Sequence, residues 1–296
     1  MDMQSGLSAL LMATLGVVAP PAQPGLAAVP GRPAVEPAPG RPAVGPAPAR
    51  PTVEPARWPA GSVAAALAVE VMPARPADAG RPDEPPPVTI VRYTFNGRAG
   101  SILNESGLGH ALRIISGHGG RVRPVVHGPG TALAFPPHCD AAVCPHVALQ
   151  APNSADLNPG TRNLAYGAEV LLSPRSTSKG QNVVQKGYSK TSSQYKLQID
   201  GAAGQPSCVL VDRRRPGIRI VRSSVSAADS RWHSVRCERV GVRFEIYVDD
   251  VVRGRTRVPA GLSVANNRPL SIGGKGAFQD NDQFNGVLDN VWVRIG

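Results

Sequence analysis

The residues of this chain best equipped for chemistry are His138-Cys139 and, after four intervening residues, Cys144-Pro145-His146. Two thiolates and two imidazoles make a donor set that zinc accepts in tetrahedral geometry. The same thiols in an oxidising compartment close a disulfide instead. Cys208 and Cys237 complete an even set of four cysteines, for which three pairings exist. Cys139 with Cys144 and Cys208 with Cys237 is the most economical pairing, a small closed loop plus a staple between neighbouring strands. The lack of Cys-x2-Cys spacing and the signs of export described below favour disulfides over zinc. Hydrolytic signatures are missing, with no G-x-S-x-G and no H-E-x-x-H. A glycosidase needs two carboxylates flanking the scissile bond, whereas Glu245 stands alone and Asp249-Asp250 marks a turn. His233, beside Trp232 in a strand-like run, reads as a structural or surface residue rather than a base.

The elements that must position these residues are strands. Thr89–Phe95, Leu164–Leu172, Tyr195–Ile199, Cys208–Val211, Ile218–Val221, Trp232–Glu238, Phe244–Val248 and Val287–Ile295 are short runs rich in β-branched or aromatic residues. In Leu164, Tyr166, Ala168, Val170 and Leu172 every second residue is apolar or small, as a half-buried strand requires. Phe244, Ile246 and Val248 repeat the pattern, as do Val287, Val291, Val293 and Ile295 with Leu288 and Trp292 opposite. Asn158-Pro159-Gly160, Asp200-Gly201, Asp249-Asp250 and Gly273-Gly274 punctuate the runs as turns. Many short strands without intervening helices predict an all-β sandwich or barrel.

The first third of the chain has another character. Leu7–Ala19 is charge-free, mostly apolar and of signal-peptide length, with small residues Ala27 and Ala28 behind it, although Asp2 replaces the usual basic start. A second apolar run, Val63–Met72, precedes Ala77-Asp78-Ala79. Between the two, a nine-residue unit beginning Gly31-Arg32-Pro33-Ala34-Val35 recurs at Gly40 and decays from Ala49. Proline-rich sequence of this kind cannot bury enough apolar surface to order itself. The expected organisation is therefore a signal peptide at 1–28, a disordered Pro/Ala/Arg-rich tether at 29–87 and one domain at 88–296. The net charge of +11 includes Arg213-Arg214-Arg215, Arg219 and Arg222. Aromatic residues make up only 4% of the chain, too few for the stacking that single-stranded nucleic acid needs. The basic face is read as solvated and suited to an anionic wall polymer or glycan, with no nucleic-acid partner and no membrane span after signal cleavage.

The order of the strand-like runs resembles the laminin-G-like, concanavalin A-like lectin/glucanase superfamily. Its patterns W-H-x-V, Y-V-D-G and L-x-I-G-G are met at Trp232–Val235, Tyr247–Asp250 and Leu270–Gly274, and its closing F-x-G-x-(I/L)-D-(D/E)-V at Phe284–Val291. Tyr93-Thr94-Phe95-Asn96-Gly97 and Asn104-Glu105-Ser106-Gly107 resemble the opening Y-x-F-D/N-G and D-x-S-G. Asp250 stands where the hairpin usually has glycine, and Asn104 where the opening turn has aspartate. The resemblance implies an all-β, two-sheet antiparallel jelly-roll sandwich and a secreted or cell-surface recognition module without catalysis. Its edge loops would bind carbohydrate, cell-wall polymer or an extracellular protein; the alternative is a structural spacer-and-cap domain. The E-x-D-x-x-E array of related glycan-active enzymes is absent. The family's calcium would fall to Asp280, Asp282 and Asp289, with Asn281 and either Asn104 or Glu105. Trp232 and Trp292 match core positions of the family, leaving Tyr166, Tyr188 and Tyr195 as candidates for an aromatic platform.

Overall fold

The computed structural model describes residues 86–97 and 102–296. The expected signal peptide at 1–28 and the repeat-bearing tether up to residue 85 lie outside the described residues. Among the described residues there are fifteen strands: β1 (Val88–Tyr93), β2 (Arg113–Gly117), β3 (Arg123–His127), β4 (Gly130–Ala134), β5 (His146–Ala151), β6 (Leu164–Leu171), β7 (Gln181–Lys186), β8 (Gln194–Asp200), β9 (Gln205–Asp212), β10 (Arg215–Arg222), β11 (Trp232–Val240), β12 (Arg243–Val248), β13 (Val251–Arg257), β14 (Leu270–Ile272) and β15 (Val287–Ile295). The first sheet runs β13-β12-β11-β6-β15-β4-β3, with β1 also paired to β15, and the second runs β10-β9-β8-β7-β14-β5-β2. Neighbours are antiparallel, as β11–β6, β15–β6 and β8–β9 illustrate. This is the two-sheet sandwich that the resemblance implies, where the alternating runs alone left sandwich and barrel both open.

The core lies between the sheets. Tyr166, Val170, Val235, Phe244, Val291 and Val293 project from the first sheet, and Leu149, Val184, Tyr195, Leu197 and Leu210 from the second, all essentially buried. Two buried tyrosines meet at the centre, the rings of Tyr166 and Tyr195 lying 5.2 Å apart. Each hydroxyl finds a backbone acceptor, Tyr166 at Lys196 and Tyr195 at Leu157, so that neither polar tip is left unpaired in the apolar interior. Both tyrosines are thus packing residues and not a ligand platform.

Three expectations change. Cys208 and Cys237 do bond, but β9 and β11 belong to opposite sheets, so the disulfide crosses the core instead of joining neighbours within a sheet. Trp232 and Trp292 lie outside the core, half-buried on the outer side of the first sheet: Trp232 stacks on His127 and Trp292 lies beneath Arg294. In β15 the register with β6 shifts between Asp289 and Trp292, where Asn290 adopts a left-handed φ of 45°. This bulge reverses the alternation, so Leu288 joins Val291 and Val293 in the core.

Edge strands account for the basic face. β10 and β13 end their respective sheets and carry Arg215, Arg219, Arg222, Arg255 and Arg257, all exposed. Charged side chains there oppose pairing with a second sheet. The β12–β13 turn places Asp249 (φ 52°) and Asp250 (φ 60°) in the left-handed region. Asp249 recovers part of that cost by accepting the Ser234 amide at 3.1 Å and contacting His233 Nδ1 at 2.8 Å, whereas the more exposed Asp250 has only a 3.7 Å contact to Arg236.

Two outcomes follow. Asp250→Gly should stabilise the domain by about 0.5–1 kcal/mol and Asp249→Gly should destabilise it, as read by urea unfolding; equal effects contradict the role assigned to Asp249. Replacing Cys208 and Cys237 together by alanine should cost about 3–4 kcal/mol for the loop they close. Calorimetry should then show melting about 10 °C lower, and an unchanged transition rules out the staple.

Candidate functional site

The loop between β14 and β15, residues 273–286, is built from amides and carboxylates. Gly273 opens it at φ 73°, where any Cβ would collide with the Phe135 ring. Asn281 is buried and donates to the Gly276 carbonyl at 2.7 Å. Gln283 accepts the Val147 amide at 2.7 Å and donates to the Gly273 carbonyl at 2.9 Å. Asn285 bonds the Pro136 carbonyl at 2.9 Å, and Gln279 reaches the Ala142 carbonyl at 3.2 Å in the small loop closed by Cys139 and Cys144. The first disulfide and the β14–β15 loop therefore form one wall.

To the amide contacts that tie this wall to the second sheet, one carboxylate adds an ionic one. Asp282 Oδ2 lies 2.7 Å from Lys196 Nζ and 2.8 Å from Lys275 Nζ. Burial pushes Asp282 up, but the charge of Lys196 and the hydrogen bonds from both lysines hold its pKa below the ordinary carboxylate value. Burial pushes Lys196 down, against the opposing pull of Asp282. The left-handed φ of 51° at Asp282 turns the chain there.

Two cavities meet at Asp282. One, of about 190 Å³, is lined by His138, His146, Lys179, Gln279, Asn281 and Asn285 among others. His146 is buried with neither ring nitrogen bonded to protein, and Oδ1 of Asn281 is likewise unpaired. The other, of about 500 Å³, lies on the outer side of the second sheet. Lys196, Val209 and Ile220 are partners in adjacent strands across its floor. Gln194, Gln198, Lys190, Lys275 and Tyr188 surround them. Tyr188 donates to the Lys275 carbonyl at 3.2 Å and lies 5.7 Å below the Arg268 guanidinium. The Phe278 ring, 51% exposed, stands on the same loop.

The residues expected to hold calcium are not gathered here. Asp280 is exposed, with Lys179 at 3.6 Å, and Asp282 is taken by two lysines. Asp289 lies 2.6 Å from His127 Nδ1. Asn104 Oδ1 accepts the Arg92 and Ser106 amides, and Glu105 accepts the Thr94 hydroxyl. Asp282, Asp289, Asn104 and Glu105 each face a different proton donor, and the structure does not bring them together as one six- to eight-oxygen shell. The zinc reading of His138 to His146 also falls, since both thiols are consumed by the disulfide and His138 bonds Asp140 at 2.9 Å. Sequence reasoning missed Lys196 and Lys275, and it singled out His146 only as a zinc ligand. The polar alternation Gln194, Lys196, Gln198 opposite Tyr195, Leu197 and Ile199 marked an outer face, but nothing in it announced that a loop would fold over that face.

The sequence pattern of the concanavalin A-like lectin/glucanases superfamily matches residues 147–294. No curated protein sequence matches the chain. Among solved structures, domain 4 of AbnA, an extracellular arabinanase from Geobacillus stearothermophilus in complex with arabinotriose, superposes with a TM-score of 0.55 at 13% identity, over 71% of this chain and 93% of that one. The binding domain of Paraclostridial Mosquitocidal Protein 1 gives 0.53 at 11% identity, over 69% and 48%. The binding domain of botulinum neurotoxin DC in complex with rat synaptotagmin II gives 0.52 at 11%, over 70% and 48%. The chain thus spans about half the length of the toxin binding domains it matches. At these identities the likeness is one of fold.

Asp282→Asn should cost about 3 kcal/mol at neutral pH by leaving two lysines facing each other over a neutral amide. Because the folded pKa of Asp282 is depressed, its contribution is present above about pH 4 and lost as the pH falls through the folded value. The stability gap between wild type and variant, followed by denaturant unfolding, should therefore narrow in acid. A gap independent of pH contradicts the ion triad.

Proposed function

The chain belongs to the concanavalin A-like lectin/glucanases superfamily, and on that footing we propose that it is an exported, non-catalytic module that binds carbohydrate in the groove running through Asp282. The observation that carries this reading is the composition of the groove. Val209, Ile218 and Ile220 offer an apolar floor for a sugar ring face, while Gln194, Gln198 and three lysines offer donors for hydroxyl or carboxylate oxygens. Lys190, Lys196 and Lys275 outnumber Asp282, so the groove favours an acidic saccharide over a neutral one. Two disulfides support export, since such bonds persist in oxidising compartments. Among the described residues no helix is long and apolar enough to cross a membrane. The arabinanase domain, seen with a bound oligosaccharide, makes carbohydrate a reasonable ligand class for this fold.

A glycan array followed by calorimetric titration of the full chain tests the reading. Uronate-bearing oligosaccharides should bind more tightly than their neutral counterparts, and added salt should weaken them. Lys190→Ala, at an exposed position, should weaken the acidic ligand about tenfold, the worth of one charge-assisted hydrogen bond. No binding to any glycan class, or binding indifferent to Lys190, overturns the assignment.

A further inference from the structure

On the opposite side of the sandwich, we propose that His127, Glu169 and Asp289 form a binding site for a divalent transition metal of the zinc class. The three side chains come from three strands, β3, β6 and β15, and their donor atoms all lie within 4.8 Å of one another. His127 Nδ1 is 2.6 Å from Asp289 Oδ2 and 3.8 Å from Glu169 Oε2. Zinc bound at about 2.0–2.2 Å to each of three ligands holds them roughly 3.0–3.6 Å apart. Shifts of about 1 Å in these side chains therefore turn the hydrogen-bonded cluster into a chelating trio. On metal binding the proton between Nδ1 and Asp289 is released to solvent, and the freed Nδ1 lone pair faces the metal.

Each ligand is held in place. Glu169 and Asp289 are direct partners across the β6–β15 ladder, so their side chains leave the sheet side by side. That pairing sets two carboxylates next to each other, a costly arrangement unless a cation joins them. The bulge after Asp289 keeps its carboxylate on this outer side, and Asn290 donates its amide to Oδ1 at 2.6 Å, leaving Oδ2 for the third partner. The His127 ring is stacked on Trp232 at 3.9 Å with an interplanar angle of 18°, which fixes the direction of Nδ1. A buried carboxylate oriented by a backbone amide and an imidazole oriented by a stacked indole are the outer supports expected around a metal.

The donor set selects the metal class. Calcium takes six to eight oxygens; one imidazole nitrogen with two carboxylates suits zinc, manganese or nickel, with remaining positions open to water. A metal here would also pin the β3–β4 hairpin, which pairs with β15 only at Val287 and Leu288, onto the centre of the first sheet. This site is remote in kind from the saccharide groove, sharing no residue with it, so either assignment can fail without the other.

The full chain, stripped with EDTA and desalted, should be titrated with zinc and with cobalt. Native mass spectrometry should show one tightly held zinc per chain, cobalt should give visible ligand-field bands, and indole fluorescence should change on binding. Glu169→Gln, a half-exposed and conservative replacement, should weaken zinc by at least about tenfold, as should Asp289→Asn if it folds. Trp232→Phe should keep the metal and lose most of the fluorescence response. The proposal is overturned if zinc binds Glu169→Gln as well as wild type, if no stoichiometric zinc is retained, or if calcium binds as tightly as zinc.

Discussion

Between two lysines, the Asp282 carboxylate joins the β14–β15 loop to the outer side of the second sheet. Lys196 is almost wholly buried, and a buried ammonium without a counter-charge is among the more expensive things a protein can carry. The buried lysine of the sheet therefore needs the charge that the loop supplies, and the loop's amide bonds to β5 and β7 hold that charge in place. From that contact the rest of the groove follows. Asn281, Gln283 and Asn285 are positioned by their bonds within the loop and to its neighbours, and the disulfide loop at Cys139–Cys144 is brought alongside through Gln279.

The two sides of the sandwich solve different problems with the same alternation. On the second sheet the outward positions carry lysines and glutamines over an apolar strip, a surface that contacts a polyhydroxy ligand on both its faces and edges. On the first sheet a one-residue bulge moves Leu288 inward and keeps Asp289 outward beside Glu169. The core depends on this detail, since without the bulge Leu288 and the pair Val291 and Val293 would point to opposite faces. Between the sheets, the Cys208–Cys237 bond fixes their spacing near the centre of the domain.

Much of the sandwich was legible in the residues because alternation is a direct record of burial. Leu164 to Leu172 reads as a half-buried strand and is so, while Phe244 to Val248 is a strand whose outward Glu245 is buried as well. β5 and β7 were not legible: His146–Ala151 is buried on both faces, and Gln181–Lys186 is polar yet wholly covered, so neither alternates. β13 hid behind its arginines, which belong to an edge and not to a loop. The site was less legible than the fold. Asp280, Asp282 and Asp289 are close in sequence, but a bulge and a loop send their carboxylates to three different partners. The residues that meet them, Lys196, His127 and Glu169, are distant in sequence and unmarked by any local pattern.

The most direct measurement is the side-chain amide spectrum of the 15N-labelled full chain during titration with an acidic oligosaccharide. Recognition at the groove predicts saturable shifts of the Gln194, Gln198, Gln279 and Asn281 side-chain amides, with the Asn104 amide, bonded to the Ile90 carbonyl away from the groove, as an unmoved reference. Shifts confined to other parts of the surface, or none at saturating ligand, would contradict it.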